Sequence, residues 1–267
     1  MKISPIRRTV QILSLAAMVA VPLLNSRGVS AVSGSFYSVE IGPLLLTDPL
    51  IALQPLLATM TIDTTLLDSA LIPVGLALVF GRVFCGWVCP QNTLSELFDA
   101  AGSRLGVRRF FTATTGPLVR YTVLAVILAV TLLYGFPMAS LLSAPGIISV
   151  QTARLIYERT VGLELALIGL IILVEFFLVR RVWCNHLCPV GSMLSLFRSK
   201  RTMRVVMAEE GEDVCIHCRE CAKACQLGLN PMAGGVVPQC HNCGACIDAC
   251  RKITGERGPL SFRFPLR

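Results

Sequence analysis

Eight cysteines in two matching runs constrain this chain more than any other feature. Cys215, Cys218, Cys221 and Cys225 follow a C-x2-C-x2-C-x3-C spacing, and Cys240, Cys243, Cys246 and Cys250 repeat it. Thiolates are soft ligands suited to tetrahedral iron, and this spacing lets three of them wrap one face of a cubane. In two-cluster proteins with such runs, the fourth cysteine of each run serves the other cluster. By that rule one [4Fe–4S] cluster takes Cys215, Cys218, Cys221 and Cys250, and the other takes Cys240, Cys243, Cys246 and Cys225. Structural zinc also favours C-x2-C pairs, but two zinc ribbons need four separate pairs rather than doubled runs with a distal fourth cysteine. A proline normally follows the fourth cysteine, whereas Gln226 and Arg251 stand there in this chain. That departure leaves the ligands intact and changes the turn. His217 and His241, beside cluster cysteines, could tune cluster potential by hydrogen bonding to sulfur, but read first as exposed tail histidines with no special task.

The remaining chain is suited to lipid. Of 267 residues, 54% are hydrophobic and only 15% charged, against about 25% charged in a typical soluble domain. Four apolar stretches approach the length needed to cross a bilayer: Thr9 to Leu24, Leu66 to Phe84, Leu118 to Phe136 and Leu163 to Val179. Of the 24 lysines and arginines, only Arg27, Arg154 and Arg159 fall in the two connections placed outside. The positive-inside pattern therefore puts both termini in the cytoplasm. No basic stripe interleaves with aromatic residues, so nucleic acid is not an expected partner. The first stretch also resembles a signal peptide, with Lys2, Arg7 and Arg8 before it and Val29-Ser30-Ala31 after it. Cleavage there would leave the topology from Gly34 onward unchanged.

An internal repeat organises the membrane part. Arg82-Val83-Phe84-Cys85-Gly86-Trp87-Val88-Cys89-Pro90 is echoed by Arg181-Val182-Trp183-Cys184-Asn185-His186-Leu187-Cys188-Pro189. Each copy follows an apolar stretch at its inner end, and such repeats indicate duplicated architecture. A spacing of four puts the two thiols of each motif on one helical face, and the proline then ends or redirects the helix. Two motifs at equivalent ends could bring Cys85, Cys89, Cys184 and Cys188 together as a third metal site, a thiol–disulfide site or a docking point. Clustered thiols in a reducing compartment point to metal or redox chemistry more than to packing. The expected fold is thus a membrane all-α one. Residues 1–199 form four transmembrane helices as two repeated hairpins, and residues 200–267 form a two-cluster domain of bacterial ferredoxin type. From Arg198 charges rise, with Lys200, Arg201, Arg204, Glu209, Glu210 and Glu212.

Between the first two spans, Pro43, Pro49 and Pro55 argue against a fifth span. Thr47-Asp48-Pro49 reads as a helix start, either of a short helix on the outer membrane surface or of a hydrophobic loop over the bundle. None of the three histidines lies in a span, so haem within the bundle is not expected and quinol becomes the expected electron donor. Ionisable residues within spans tend to be functional, which singles out Glu175 as a proton acceptor. Asp48, Asp63, Asp68 and Glu164 lie near outer ends, where solvation explains them equally well.

With these motifs placed, the chain resembles the membrane ferredoxin-type proteins of periplasmic nitrate reductase systems (NapH) and their relative in methylamine utilisation (MauN). The likeness spans nearly the whole chain, including Leu46-Thr47-Asp48-Pro49-Leu50, both C-x3-C-P motifs, Cys188-Pro189-Val190-Gly191 and the two cysteine runs. It implies an electron-transfer subunit of a quinol dehydrogenase in the bacterial inner membrane. Its partners would be the quinone pool, a periplasmic iron–sulfur or cytochrome protein and a terminal reductase. A competing reading makes the four membrane-edge thiols part of a maturation or metal-handling factor for a client metalloenzyme.

Overall fold

A computed structural model describes residues 2–28, 31–107, 117–207, 214–232, 237–255 and 258–264. Val29 and Ser30 of the cleavage motif, and Glu209, Glu210 and Glu212, lie outside the described residues.

The repeat is visible as two halves with matching element order. The first half runs through α1 (Ile3–Asn25), a meander of β1 (Val32–Ser35), β2 (Ser38–Ile41) and β3 (Leu44–Thr47), then α2 (Pro49–Thr59), α3 (Thr64–Phe80), α4 (Val83–Trp87) and α5 (Pro90–Arg104). The second contains α6 (Pro117–Tyr134), α7 (Met138–Leu141), α8 (Ala144–Tyr157), α9 (Glu164–Phe177), a π-helical turn (Trp183–Leu187) and α10 (Pro189–Leu196). Each half thus has a long helix, a shorter inserted helix, a second apolar helix and a cysteine motif that opens a further helix. Both inserted helices begin with proline in the first turn, at Pro49 and Pro145, where its missing N–H costs nothing.

The helix start expected at Thr47-Asp48-Pro49 is present: Asp48 caps α2 by accepting from the Leu50 N–H at 2.8 Å. Its setting differs from both expectations. Leu50 is fully buried, and α2 packs against α3, α6 and α10. Pro49 and Pro55 therefore start and interrupt an inserted half-helix packed on the bundle, while exposed Pro43 lies in the turn between β2 and β3.

One described helix, α1, is long and apolar enough to cross a membrane; Pro49–Thr59, Thr64–Phe80 and Leu118–Tyr134 are apolar but shorter. At about 1.5 Å per residue, the 14 residues of α9 fall short of a hydrocarbon core. The chain instead continues beyond α3 and α9 into the cysteine motifs.

The polar core is unusual for so apolar a chain. Arg7 and Glu96 are buried together, Nη1 to Oε1 at 2.5 Å, joining α1 to α5. Gln11 and Asn92 also donate to the Glu96 carboxylate. Removing one partner of such a pair leaves a buried charge uncompensated, so Glu96→Ala will destabilise the folded protein by about 3–5 kcal/mol. Thermal inactivation in detergent will register this as a large loss, whereas an equivalent change at exposed Glu220 will be nearly neutral.

The tail adds β4 (Arg204–Met207), α11 (Glu220–Lys223), α12 (Ala245–Thr254) and β5 (Leu260–Arg263), with β4 and β5 antiparallel. It docks on the inner ends of the helices. Asn242 donates to the Phe80 and Met203 carbonyls at 2.9 and 2.8 Å, and Trp87 Nε1 donates to the Asn242 carbonyl at 3.0 Å. Asp248 of α12 accepts from the Ile3 and Ser4 N–H groups at the start of α1, the end of a helix where an anion is favoured.

Candidate iron–sulfur sites

All twelve cysteines line cavities, and they do so in three sets of four. Cys215, Cys218, Cys221 and Cys250 surround one cavity in the tail. Cys225, Cys240, Cys243 and Cys246 surround a second. The two runs therefore cross, each lending its last cysteine to the other's cavity.

Matched backbone geometry forms the two tail cavities. In the first run, His217 and Arg219 flank Cys218 with φ of 52° and 59°; in the second, Asn242 and Gly244 flank Cys243 with φ of 51° and 77°. Left-handed residues on either side of the middle cysteine curl the chain into a nest whose N–H groups face an anion. Positive φ in three non-glycine residues is costly, and its recurrence at equivalent positions argues for a shared occupant.

Cys85, Cys89, Cys184 and Cys188 line a third, small cavity between the two halves. In each motif the first thiol sits on a short helical segment and the second is an extended residue capping the next helix: Cys89 before α5, Cys188 before α10. The proline thus redirects the chain rather than only stopping it. Cys188 Sγ accepts from the Gly191 N–H at 3.4 Å. The start of α8, Ala144 and Pro145, also faces this cavity, so helix N-termini with their partial positive charge gather around it.

Two arginines make the charge of the third site legible. Arg82 and Arg120 are 2% and 1% exposed, and among the described residues neither forms an ion pair with a carboxylate. Arg82 donates to the Cys85 sulfur at 3.9 Å and to the Cys184 and Gln239 carbonyls; Arg120 donates to the Cys184 carbonyl at 2.6 Å. Among the described residues Arg82 Nε and Arg120 Nε and Nη1 have no hydrogen-bond partner. Buried cations without counter-charge cost several kcal/mol each. Burial also pushes the Cys188 thiol up to about 11 and raises Cys89 and Cys184, which favours the neutral form of these three thiols when no metal is bound. An anionic centre held by four thiolates is what this pair of guanidiniums fits. A disulfide or a set of neutral thiols would leave both charges unbalanced.

Among the described residues no three Cys, His, Asp or Glu side chains converge closely enough to hold a single metal ion. A cubane does not require such convergence, because each thiolate meets a different iron.

The other expected site residues separate sharply. His217 is exposed. His241 is 4% exposed and lines both the second tail cavity and the four-thiol cavity, which overturns its reading as an exposed histidine. Burial and the surrounding arginines hold its pKa well below the usual histidine range, so it is neutral. Its position shows how closely the two sites approach: a Cβ on Gly86, between Cys85 and Cys89, would meet the His241 carbonyl oxygen at 2.8 Å and Cys243 Cβ at 3.5 Å. Glu175 is buried, but accepts from Ser95 Oγ at 2.6 Å and from the Trp183 N–H at 3.1 Å. It anchors the second cysteine motif to α5 and is not among the residues lining the four-thiol cavity. Arg82 and Arg120 were not legible as site residues, although Arg82 and Arg181 open the two copies of the repeat.

Comparison with known proteins bears on the C-x3-C-P stretches and on the chain as a whole. A family model described as a 4Fe-4S binding domain matches residues 63–109 and 161–205, the two stretches that each hold one C-x3-C-P pair. The chain is 33% identical to the methylamine utilization ferredoxin-type protein MauN of Methylorubrum extorquens, over 82% of this chain and 73% of that one. It is 28% identical to the ferredoxin-type protein NapH of Haemophilus influenzae, over 91% of this chain and 85% of that one. With NapH of Escherichia coli it shares 30% identity, over 77% and 72% of the two chains. No solved structure matches.

Proposed function

The chain belongs to the family of ferredoxin-type iron–sulfur proteins that includes MauN and NapH, and from that premise we propose that it is a multi-pass membrane protein that draws electrons from quinol and delivers them towards a periplasmic reductase. The observation that carries this reading is the row of three four-thiol cavities. The membrane-edge cavity and the second tail cavity share His241 and Leu227. The two tail cavities share Met207 and Met232. Such continuity suits one-electron carriers in series, which is the chemistry [4Fe–4S] groups supply when bound. In this reading Cys215, Cys218, Cys221 and Cys250 hold one cluster, Cys225, Cys240, Cys243 and Cys246 a second, and Cys85, Cys89, Cys184 and Cys188 a third.

The membrane assignment has support beyond hydropathy. Outward positions are apolar, with Leu71 at 65%, Leu133 at 75% and Leu163 at 88% exposed, while Arg7, Gln91, Asn92, Glu96 and Arg181 are buried. That is the inverse of a soluble protein's usual distribution. Together α1, α3, α6 and α9 serve as the four spans, the last three extended by the segments that follow or precede them. The contact of Asp248 with the start of α1 supports both termini on one side, which the positive-inside pattern makes the cytoplasm. Onward transfer uses a periplasmic iron–sulfur or cytochrome protein as partner.

The crossed ligand sets give a direct test. Cys250→Ser will remove the cluster held by the first run, and Cys225→Ser the cluster held by the second, each lowering iron by about four atoms per chain. EPR of the dithionite-reduced variants will show which signal disappears; loss of the signal belonging to the mutated run itself would overturn the crossing. Menaquinol or ubiquinol analogues will reduce the remaining tail cluster. Intact clusters that no quinol reduces would overturn the quinol reading. A maturation factor, by contrast, would keep quinol-driven reduction of the tail in Cys85→Ser while its client lost metal.

A further inference from the structure

The membrane half holds another cavity, of about 410 Å³, lined by none of the cysteines. That volume is in the range of small-molecule sites, about 300–1,000 Å³. Ile72, Leu76 and Phe80 recur one helical turn apart along α3; they line the cavity and are also 45%, 54% and 38% exposed on the outer surface of the bundle. The cavity therefore opens sideways through the apolar face that meets lipid in the topology above. Its lining includes Asp48, the cap of α2, and Phe84 and Val88, the residues immediately before Cys85 and Cys89. Phe36 of the β1–β2 turn lies edge-on to Phe84, ring centroids 5.9 Å apart.

The cap of α2 uses Asp48 Oδ1; a lipid acyl chain would fit the apolar walls but make no use of the second carboxylate oxygen. A ring with a polar edge and an apolar tail uses every feature: an opening to the bilayer, apolar walls, an acceptor in the wall and the redox motif beside it. We propose that this cavity binds the quinol, with its isoprenoid tail leaving between Ile72 and Phe80 and a ring hydroxyl donating to the Asp48 carboxylate. The assignment rests on the quinol reading above and adds its location. It makes Asp48, rather than Glu175, the acidic residue in contact with the substrate. Burial pushes the Asp48 carboxyl up to about 6, consistent with a carboxylate set in a largely apolar wall.

The test uses the cluster-loaded protein in lipid nanodiscs and a photoreactive short-chain azidoquinone. Label is expected on peptides spanning residues 35–49 or 72–88, and excess quinol analogue should compete it away. Asn caps a helix about as well as Asp, so Asp48→Asn keeps α2 while removing the charge, and is expected to raise about tenfold the concentration of quinol analogue needed to compete the label away. Leu76→Trp fills the cavity from its exposed face without touching the cap, and should abolish labelling while dithionite still reduces every cluster. Specific label on other peptides, labelling undiminished in Leu76→Trp, or competition by phospholipid but not by quinol would overturn this location. In the first two cases quinol-driven cluster reduction would persist, leaving the broader reading in place. Absence of both specific labelling and quinol-driven reduction would overturn the two together.

Discussion

Anaerobically isolated protein will carry about twelve iron atoms and as many acid-labile sulfides per chain, and Cys85→Ser or Cys184→Ser will lower both to about eight. The expectation comes from charge as much as from ligand count. Among the described residues Arg82 and Arg120 are buried without a carboxylate partner beside the four membrane-edge thiols, and a centre built on four thiolates would supply the missing negative charge. Serine at one ligand position removes that centre and leaves the two guanidiniums uncompensated, so these variants will also lose thermal stability, by several kcal/mol on the scale of broken buried pairs. Their tail signals in EPR will survive. A native count of about eight, with all four membrane-edge thiols reactive to alkylation after denaturation, would make that site a dithiol pair and leave the buried arginines without an explanation.

Gly86→Val will sever the membrane half from the tail without removing a ligand. A Cβ at this position meets the His241 carbonyl oxygen at 2.8 Å, and that atom belongs to backbone, so the tail must move away. Valine adds two further carbons in the same space. Quinol-driven reduction of the tail clusters is expected to fall by about tenfold to a hundredfold, the scale on which small misplacements of reacting partners act. Dithionite, which reaches the tail from solvent, will reduce them as before, and iron will stay near twelve. Undiminished quinol-driven reduction in this variant would mean that the contact at His241 is not the route between the two parts.

The cysteine framework was the most legible part of this molecule, because ligand spacing is a local property. The run at Cys215 and the run at Cys240 could be read without any tertiary information, as could the duplication of the C-x3-C-P motif. What local pattern cannot convey is burial. His217 and His241 occupy comparable settings beside cluster cysteines, yet only the second lies against the helix ends, because the membrane half packs on the second run. Arg82 and Arg120 read as ordinary cations at the inner boundary until the fold closes around them. The α2 segment misleads for a different reason. Pro43, Pro49 and Pro55 argued against a span, and only tertiary packing on α3 and α6 shows that Pro49 and Pro55 belong to a helix seated on the bundle. Glu175 was a sound choice by type and depth, but its oxygens are occupied by Ser95 and the Trp183 backbone, whereas Asp48, placed among residues explained by solvation, faces a cavity.

In the proposed three-cluster reading each repeat contributes only two of the four membrane-edge thiols, so neither half of the chain would retain a cofactor there by itself. Loading would wait until Cys184 and Cys188, translated long after Cys85 and Cys89, stood beside them. The inorganic core would then act as a clasp across the duplication seam, and a chain interrupted between residues 108 and 116 would regain it only if both fragments met again in the same bilayer.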